Sequence, residues 1–313
     1  MSIAVVTGGN SGIGFHTARE LAGRGIYVVI TARDPERGAA AAAEIVGATW
    51  AQLDLADLDS VHRFAERFRA EHGRLDLLIN NAGVMALPRQ LTEDGFERQF
   101  GTNHLGHFAL TGLLLPLLLT TDHARVVTVT SGLHKRGRID FDDLMGERRY
   151  GRFRAYTQSK LANVLFALEL HRRSTAAGVP LLSVLAHPGV AHTNLARSRN
   201  PLANLVVAAA RLSAQSAADG ALPLLHAATA EDVRGGDAFG PDGFAERRGA
   251  PTRVAVSARG RDEPAARRLW TISEELTGVR FPAFEQVRSR DGGWDDAATA
   301  GGSPRPASPR PGA

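Results

Sequence analysis

The chain has 313 residues, 43% of them hydrophobic, which is enough to bury one large core. It has no cysteine, so disulfides and thiolate metal sites are excluded and a reducing cytoplasm suits it. A net charge of only +4, with arginines spread along the chain, argues against a nucleic-acid partner.

Met1-Ser2 runs directly into the apolar Ile3-Ala4-Val5-Val6, without the basic region or length of a signal peptide. That run predicts a strand, and Thr7-Gly8-Gly9-Asn10-Ser11-Gly12-Ile13-Gly14 then leads into a helix over 15–24. A strand, a glycine turn and a helix start suit a phosphate, because glycines let the backbone come close and the helix presents free N–H groups. A lone glycine cluster is equally well an ordinary βα turn, so its setting matters.

A second strand over 27–31 ends at Ala32-Arg33-Asp34, where a dinucleotide fold meets the adenosine ribose. Arg33 could pair with a 2′-phosphate, and Asp34 could hold a 2′-hydroxyl. Pro35 and the helix over 36–46 suggest that Asp34 is a helix cap, which favours Arg33. A third strand over 49–53 delivers Asp54 and Leu55 to the adenine side. A helix over 57–72 and a strand over 75–79 follow, closed by Asn80-Asn81-Ala82-Gly83.

The 92–119 region reads as helical and carries Asn103, His104 and His107. The two histidines lack a third ligand at helical spacing and read as packing residues, so no metal is expected. The most apolar stretch, 108–119, contains Pro116 and is too short to span a membrane. A strand over 124–130 delivers Ser131 at its C-terminal end, the edge where open α/β sheets bind ligands. After an excursion over 135–154 comes a long helix opening at Ala155.

On that helix Tyr156 and Lys160 lie one turn apart on one face. An ammonium about 4 Å from a phenolate stabilises it by roughly 4 kcal/mol at an effective dielectric of about 20, enough to bring the phenol towards neutral pH. Such a pair is often only a solvated surface pair. Here, however, Lys135 and Lys160 are the only lysines among 37 basic residues, in a chain that otherwise uses arginine.

A sixth strand over 181–186 ends in His187-Pro188-Gly189-Val190-Ala191-His192-Thr193. Helices over 214–230 and 261–276 flank a glycine-rich stretch, 235–243, that holds a short closing strand. The apolar spacing at 194–212 suits a mobile lid over a lipophilic substrate or, equally, a fixed surface helix. Strands alternate with helices throughout, the pattern of a doubly wound parallel sheet of about seven strands over 1–285. Residues 291–313 are rich in Gly, Pro and Arg and read as disordered.

In this order the motifs resemble the short-chain dehydrogenase/reductase family: Thr7-Gly8 through Gly12-Ile13-Gly14, Asn80-Asn81-Ala82-Gly83, Asn103, Ser131, Tyr156-x-x-x-Lys160 and Pro188-Gly189. Asn103-His104-Leu105-Gly106-His107-Phe108, His134, Phe141-Asp142-Asp143-Leu144 and Gln158-Ser159-Lys160-Leu161-Ala162-Asn163 are similar to its retinol-dehydrogenase and protochlorophyllide-reductase-like group. The resemblance implies a Rossmann-type single domain that interconverts a carbonyl and an alcohol, on a lipophilic small molecule.

By that resemblance, Tyr156 exchanges the proton, Ser131 binds the substrate oxygen, Lys160 holds the nicotinamide ribose and lowers the Tyr156 pKa, and Asn103 supports a water relay. Thr7, Gly8, Asn10, Ser11, Gly12, Ile13, Gly14, Asp54, Leu55, Asn81, Ala82, Gly83, Pro188, Gly189, Val190 and Thr193 would line the cofactor. Ala32 followed by Arg33 implies NADP(H), with NAD(H) as the lesser alternative. Two departures stand out: Ser131 and Tyr156 are 25 residues apart, wider than usual, and Gly132 with Lys135-Arg136 replaces small apolar residues.

The helix over 155–171 is apolar nearly all round, which suggests a homodimer partner on its far side. Two readings compete with the enzyme. One is a catalytically silent NADP-binding sensor, which an intact Asn103-Ser131-Tyr156-Lys160 set disfavours. The other is an extended-branch epimerase or dehydratase, whose glycine spacing differs.

Overall fold

The computed structural model describes residues 1–190 and 215–284. Eight strands form one sheet: β1 Ile3–Val6, β2 Tyr27–Ala32, β3 Ala48–Gln52, β4 Leu77–Asn80, β5 Ala124–Val129, β6 Leu181–Ala186, β7 Ala238–Pro241 and β8 Pro251–Arg253. Their order is β3-β2-β1-β4-β5-β6-β7-β8. All pairs are parallel except β7 with β8. The count exceeds the seven expected because β8 is a three-residue edge strand opening on proline, too short to show alternation.

Alternate residues on each strand feed the two faces. Val5, Val29, Leu78 and Val126 enter one core, and Ala4, Val6, Val28, Ile30, Ile79, Val127 and Val129 enter the other. Helices α1 (Gly12–Gly23), α2 (Pro35–Ala43) and α7 (Ala217–Thr229) contribute to the second core. Helices α3 (Leu58–Glu71), α5 (Gly106–Leu118) and α6 (Arg152–Ala176) contribute to the first. None of the described helices is long and apolar enough to cross a membrane.

The 92–119 region is not helical from its start. Leu91 and Glu97 form an isolated antiparallel bridge around Gly95, whose φ of 82° stops a helix there. Glu97 then caps α4 (Arg98–Phe100), its carboxylate accepting from the N–H groups of Gln99 and Phe100. A π-helical turn, Gly101–Leu105, joins α4 to α5.

The all-round apolar surface of α6 has an explanation within the chain. Helix α8 (Glu263–Thr277) lies against it, stacking Trp270 on Phe166 at 5.8 Å between ring centroids and packing Ala266 and Leu269 with Leu161 and Leu165. Helix α8, the last of the described helices, thus covers Leu161, Leu165 and Phe166, part of the surface for which a homodimer partner was suggested. The excursion after Ser131 is also tied down: Gln158 accepts from the Asp140 N–H and donates to the Leu144 carbonyl, and the Tyr150 hydroxyl donates to Leu87 O.

Candidate active site

At the C-terminal edge of β1, the Thr7 hydroxyl oxygen accepts from the backbone N–H of Asn81 (2.8 Å) and Ala82 (2.9 Å), while Asn81 Nδ2 donates to Thr7 O (2.7 Å). The first glycine turn and the Asn80–Gly83 turn are thereby one unit. Gly14 has no room for a side chain, since a Cβ there would stand 2.5 Å from the Gly8 carbonyl oxygen. Gly12 differs: its φ is +56° and a Cβ would meet nothing within 4 Å.

Ser11 precedes α1 as an exposed N-cap whose side chain makes no capping bond, and the first turn of α1 holds no acidic residue. Open space, free N–H groups and the positive end of a helix fit a pyrophosphate. Asn10 and Ile13 flank this space in the same turn. Gly9, which the sequence reading left unused, is equally constrained, because a Cβ would lie 2.7 Å from Ile30 Cβ.

Arg33 is exposed just beyond β2, and Asp34 accepts from the Arg37 N–H as the cap of α2. The capping role expected of Asp34 is thus present. Asp54 spends one carboxylate oxygen on the Ala56 N–H at 2.9 Å. Leu55 is 5% exposed and belongs to the core, so its side chain is not available to a ligand.

At the other end of the site, Asn103 sits in the π-helical turn, a distortion that recurs at functional sites. Its Oδ1 accepts from Val84 N (2.8 Å), and its Nδ2 donates to Val84 O and Ser159 Oγ (both 2.9 Å). Ser159 in turn donates to Tyr156 O at 2.8 Å. A Cβ on Gly83 would fall 3.1 Å from Asn103 Oδ1 and 3.4 Å from Lys160 Nζ, so this glycine is where the two polar groups meet. Lys160 Nζ donates to Val129 O at 3.2 Å, immediately before Thr130-Ser131. The structure brings Asn103, Ser131, Tyr156 and Lys160 together at one edge of the sheet.

The electrostatics depart from expectation. Burial raises the Tyr156 pKa above the usual tyrosine value, and interaction with the Ser131 hydroxyl only tempers the rise. Burial also lowers Lys160 to about 8. Burial is the main cause in both, and the ammonium is not among the groups that shift the phenol.

His107 is more than a packing residue. Its Nδ1 lies 3.0 Å from the Asn103 carbonyl, which can only accept, so Nδ1 carries the proton. Burial holds the ring neutral, with a pKa lowered to about 4, so the bare Nε2 accepts from the Thr7 hydroxyl at 2.9 Å. This side chain links the π-turn to the glycine turn; the available signal was its spacing four residues after Asn103. Among the described residues no cluster of three or more metal-ligating groups occurs.

In the turn after β6 the backbone of Val190 is taken up within the chain on both sides, its carbonyl accepting from the Gln215 N–H at 2.9 Å. Gly189 has φ +65°, and Val190 N donates to Arg247 O at 2.9 Å. Thr193, the lid expected over 194–212, and the tail at 291–313 lie outside the described residues.

A doubly wound sheet carrying a phosphate-shaped turn and a serine–tyrosine–lysine–asparagine set defines an oxidoreductase. The comparisons agree: the model of the short chain dehydrogenase family matches residues 2–203, and the chain belongs to that family, in its retinol-dehydrogenase-like group. It is 45% identical over 288 residues to human retinol dehydrogenase 12, covering 89% of this chain and 87% of the relative. It is 42% identical over 301 residues to human retinol dehydrogenase 13, covering 90% and 86%.

Among solved structures, an uncharacterised Mycobacterium paratuberculosis protein aligns with a TM-score of 0.77 and 48% identity, covering 90% of this chain and 95% of the other. An RhlG/NADP active-site complex from Pseudomonas aeruginosa aligns with a TM-score of 0.59 and 26% identity, covering 76% and 93%.

Proposed function

We propose that the protein is an NADP(H)-dependent oxidoreductase that interconverts a carbonyl and a primary or secondary alcohol on a lipophilic small molecule. The observation that carries this is the meeting of Asn103, Ser131, Tyr156 and Lys160 beside an open glycine turn. Bound between them, the dinucleotide would supply the hydride and, when oxidised, a positive charge that lowers the phenol's pKa.

The chain's residues do the rest. The Tyr156 phenol, protonated at neutral pH, donates its proton to the developing alkoxide during reduction and recovers it during oxidation. The Ser131 hydroxyl donates a hydrogen bond to the same oxygen as its charge grows. Lys160 holds the nicotinamide ribose, and Asn103 fixes the backbone against which a water relay behind Lys160 would stand. Exposed Arg33 would take the 2′-phosphate. The NADP named in the P. aeruginosa complex and the lipophilic alcohol in the relatives' names support the cofactor and substrate class. A cysteine-free chain suits the cytoplasm.

The test is oxidation of NADPH and NADH, side by side, over a panel of lipophilic aldehydes and ketones, with Tyr156→Phe as control. NADPH consumption is expected, with the variant slower by about 10²–10⁴-fold. A higher kcat/KM with NADH would show Arg33 to be misassigned. Binding without turnover of any carbonyl would favour a catalytically silent sensor.

A further inference from the structure

Only two lysines occur in the chain, and Lys160 is one of them. The other, Lys135, lies in the short 3₁₀ turn Gly132–Arg136 that follows Ser131, and its Nζ donates to Glu246 Oε1 at 2.5 Å. The second oxygen of the same carboxylate, Oε2, lies 3.0 Å from His187 Nε2. Glu246 thus touches both the turn that presents Ser131 and the first residue of the turn that carries Pro188-Gly189-Val190.

The proton on His187 can be placed. Its Nδ1 accepts from the Gly189 N–H at 3.2 Å and must be bare, so the hydrogen is on Nε2 and is donated to Glu246. The ring has no freedom to turn away. It is 2% exposed and lies flat on β7, where a Cβ at Gly240 would stand 2.2 Å from Nε2. Burial keeps it neutral, with a pKa lowered to about 4 despite the pull of Glu246. Partial burial works to raise the Glu246 pKa, yet Lys135 and His187 together draw it below the usual carboxylate range.

The backbone beneath is specialised as well. Ala245 and Glu246 have φ of 53° and 56°, in the left-handed region that non-glycine residues seldom occupy. This bend brings Arg247 O to the Val190 N–H and so close to Gly189 that a Cβ there would stand 2.4 Å away. Strain of this kind persists where the surroundings fix it, and here the two bonds of the carboxylate do so.

We propose that Glu246 is a positioning residue: by choosing the His187 tautomer and anchoring Lys135, it sets the Pro188–Val190 turn against the Ser131 turn at the width the nicotinamide half of the cofactor needs. The inference rests on the reading of this edge as a nicotinamide dinucleotide site. Through His187, Glu246 decides which imidazole nitrogen is free for the Gly189 N–H. Through Lys135, it prevents the two turns from separating.

The experiment measures binding by calorimetry to the full-length protein and to Glu246→Gln, so that turnover is not needed. NADP(H) and NAD(H) are each compared with their adenosine halves, adenosine 2′,5′-bisphosphate and 5′-AMP. The variant is expected to bind the preferred dinucleotide roughly tenfold more weakly and the matching adenosine half within twofold of the unaltered protein. Equal weakening of both, or of neither, overturns the inference and leaves the proposed function standing. Failure of the unaltered protein to bind either dinucleotide overturns both. If Glu246→Gln does not fold, Lys135→Gln, altered at a half-exposed side chain, is read by the same criteria.

Discussion

Burial drives Tyr156 and Lys160 towards their neutral forms, one upward and the other downward in pKa. The consequence is a phenol that keeps its proton through the neutral range, which is what carbonyl reduction requires. Lys160, with a pKa near 8, is the group that changes charge in the working range. It is protonated below that value, and an ammonium holds the ribose hydroxyls better than a neutral amine does. The kcat/KM for NADPH reports the free enzyme, so it is expected to be level up to about pH 8 and to fall about tenfold per unit above it. A profile level to pH 10 would show that the charge of Lys160 is not needed for cofactor capture.

Elements made by local signals were legible in the sequence. The β1 turn–α1 unit, the Asp34 cap and the strand Leu181–Ala186 were read directly, because glycines, caps and apolar runs act over a few residues. What one element packs against is not local. The apolar surface of α6 was visible, but that α8 covers it follows only from the folded chain, in which Trp270 sits within 5.1 Å of the Phe108 ring and under the Arg173 guanidinium at 4.4 Å. Likewise, the Tyr156–Lys160 spacing was legible, while the extent of their burial, and with it the sign of the Tyr156 shift, depends on the assembled core. If α8 is integral, Trp270→Ala should lose about 3–5 kcal/mol of stability in urea unfolding. A loss below about 1 kcal/mol would mean that α8 merely rests on the surface.

At the scale of the whole molecule, three buried neutral histidines stand at junctions between elements. His104 reaches Ser273 of α8 (2.9 Å), His107 joins the π-turn to Thr7, and His187 joins the end of β6 to Glu246. Burial depresses their pKa values to about 3, 4 and 4 respectively. Between the ordinary histidine value of 6.5 and these values, each of these three rings binds a proton in the unfolded chain that it refuses in the folded one, and burial lowers His134 in the same direction. Stability therefore rises with pH across that window: it is fully present above about 6.5 and is lost as pH falls towards 4. One proton corresponds to about 1.4 kcal/mol per pH unit, so the three together give a slope of about 4 kcal/mol per unit. Two units of acidification then remove a large share of the roughly 5–15 kcal/mol by which a domain of this kind is stable. Thermal melts in matched ionic strength should show Tm level from pH 8 to 7 and falling steeply between pH 6 and 4.5, with the His107→Gln variant falling less steeply by about one proton. A Tm independent of pH down to 4.5 would mean that these rings are protonated in the folded protein, and the tautomers assigned to His107 and His187 would then be wrong.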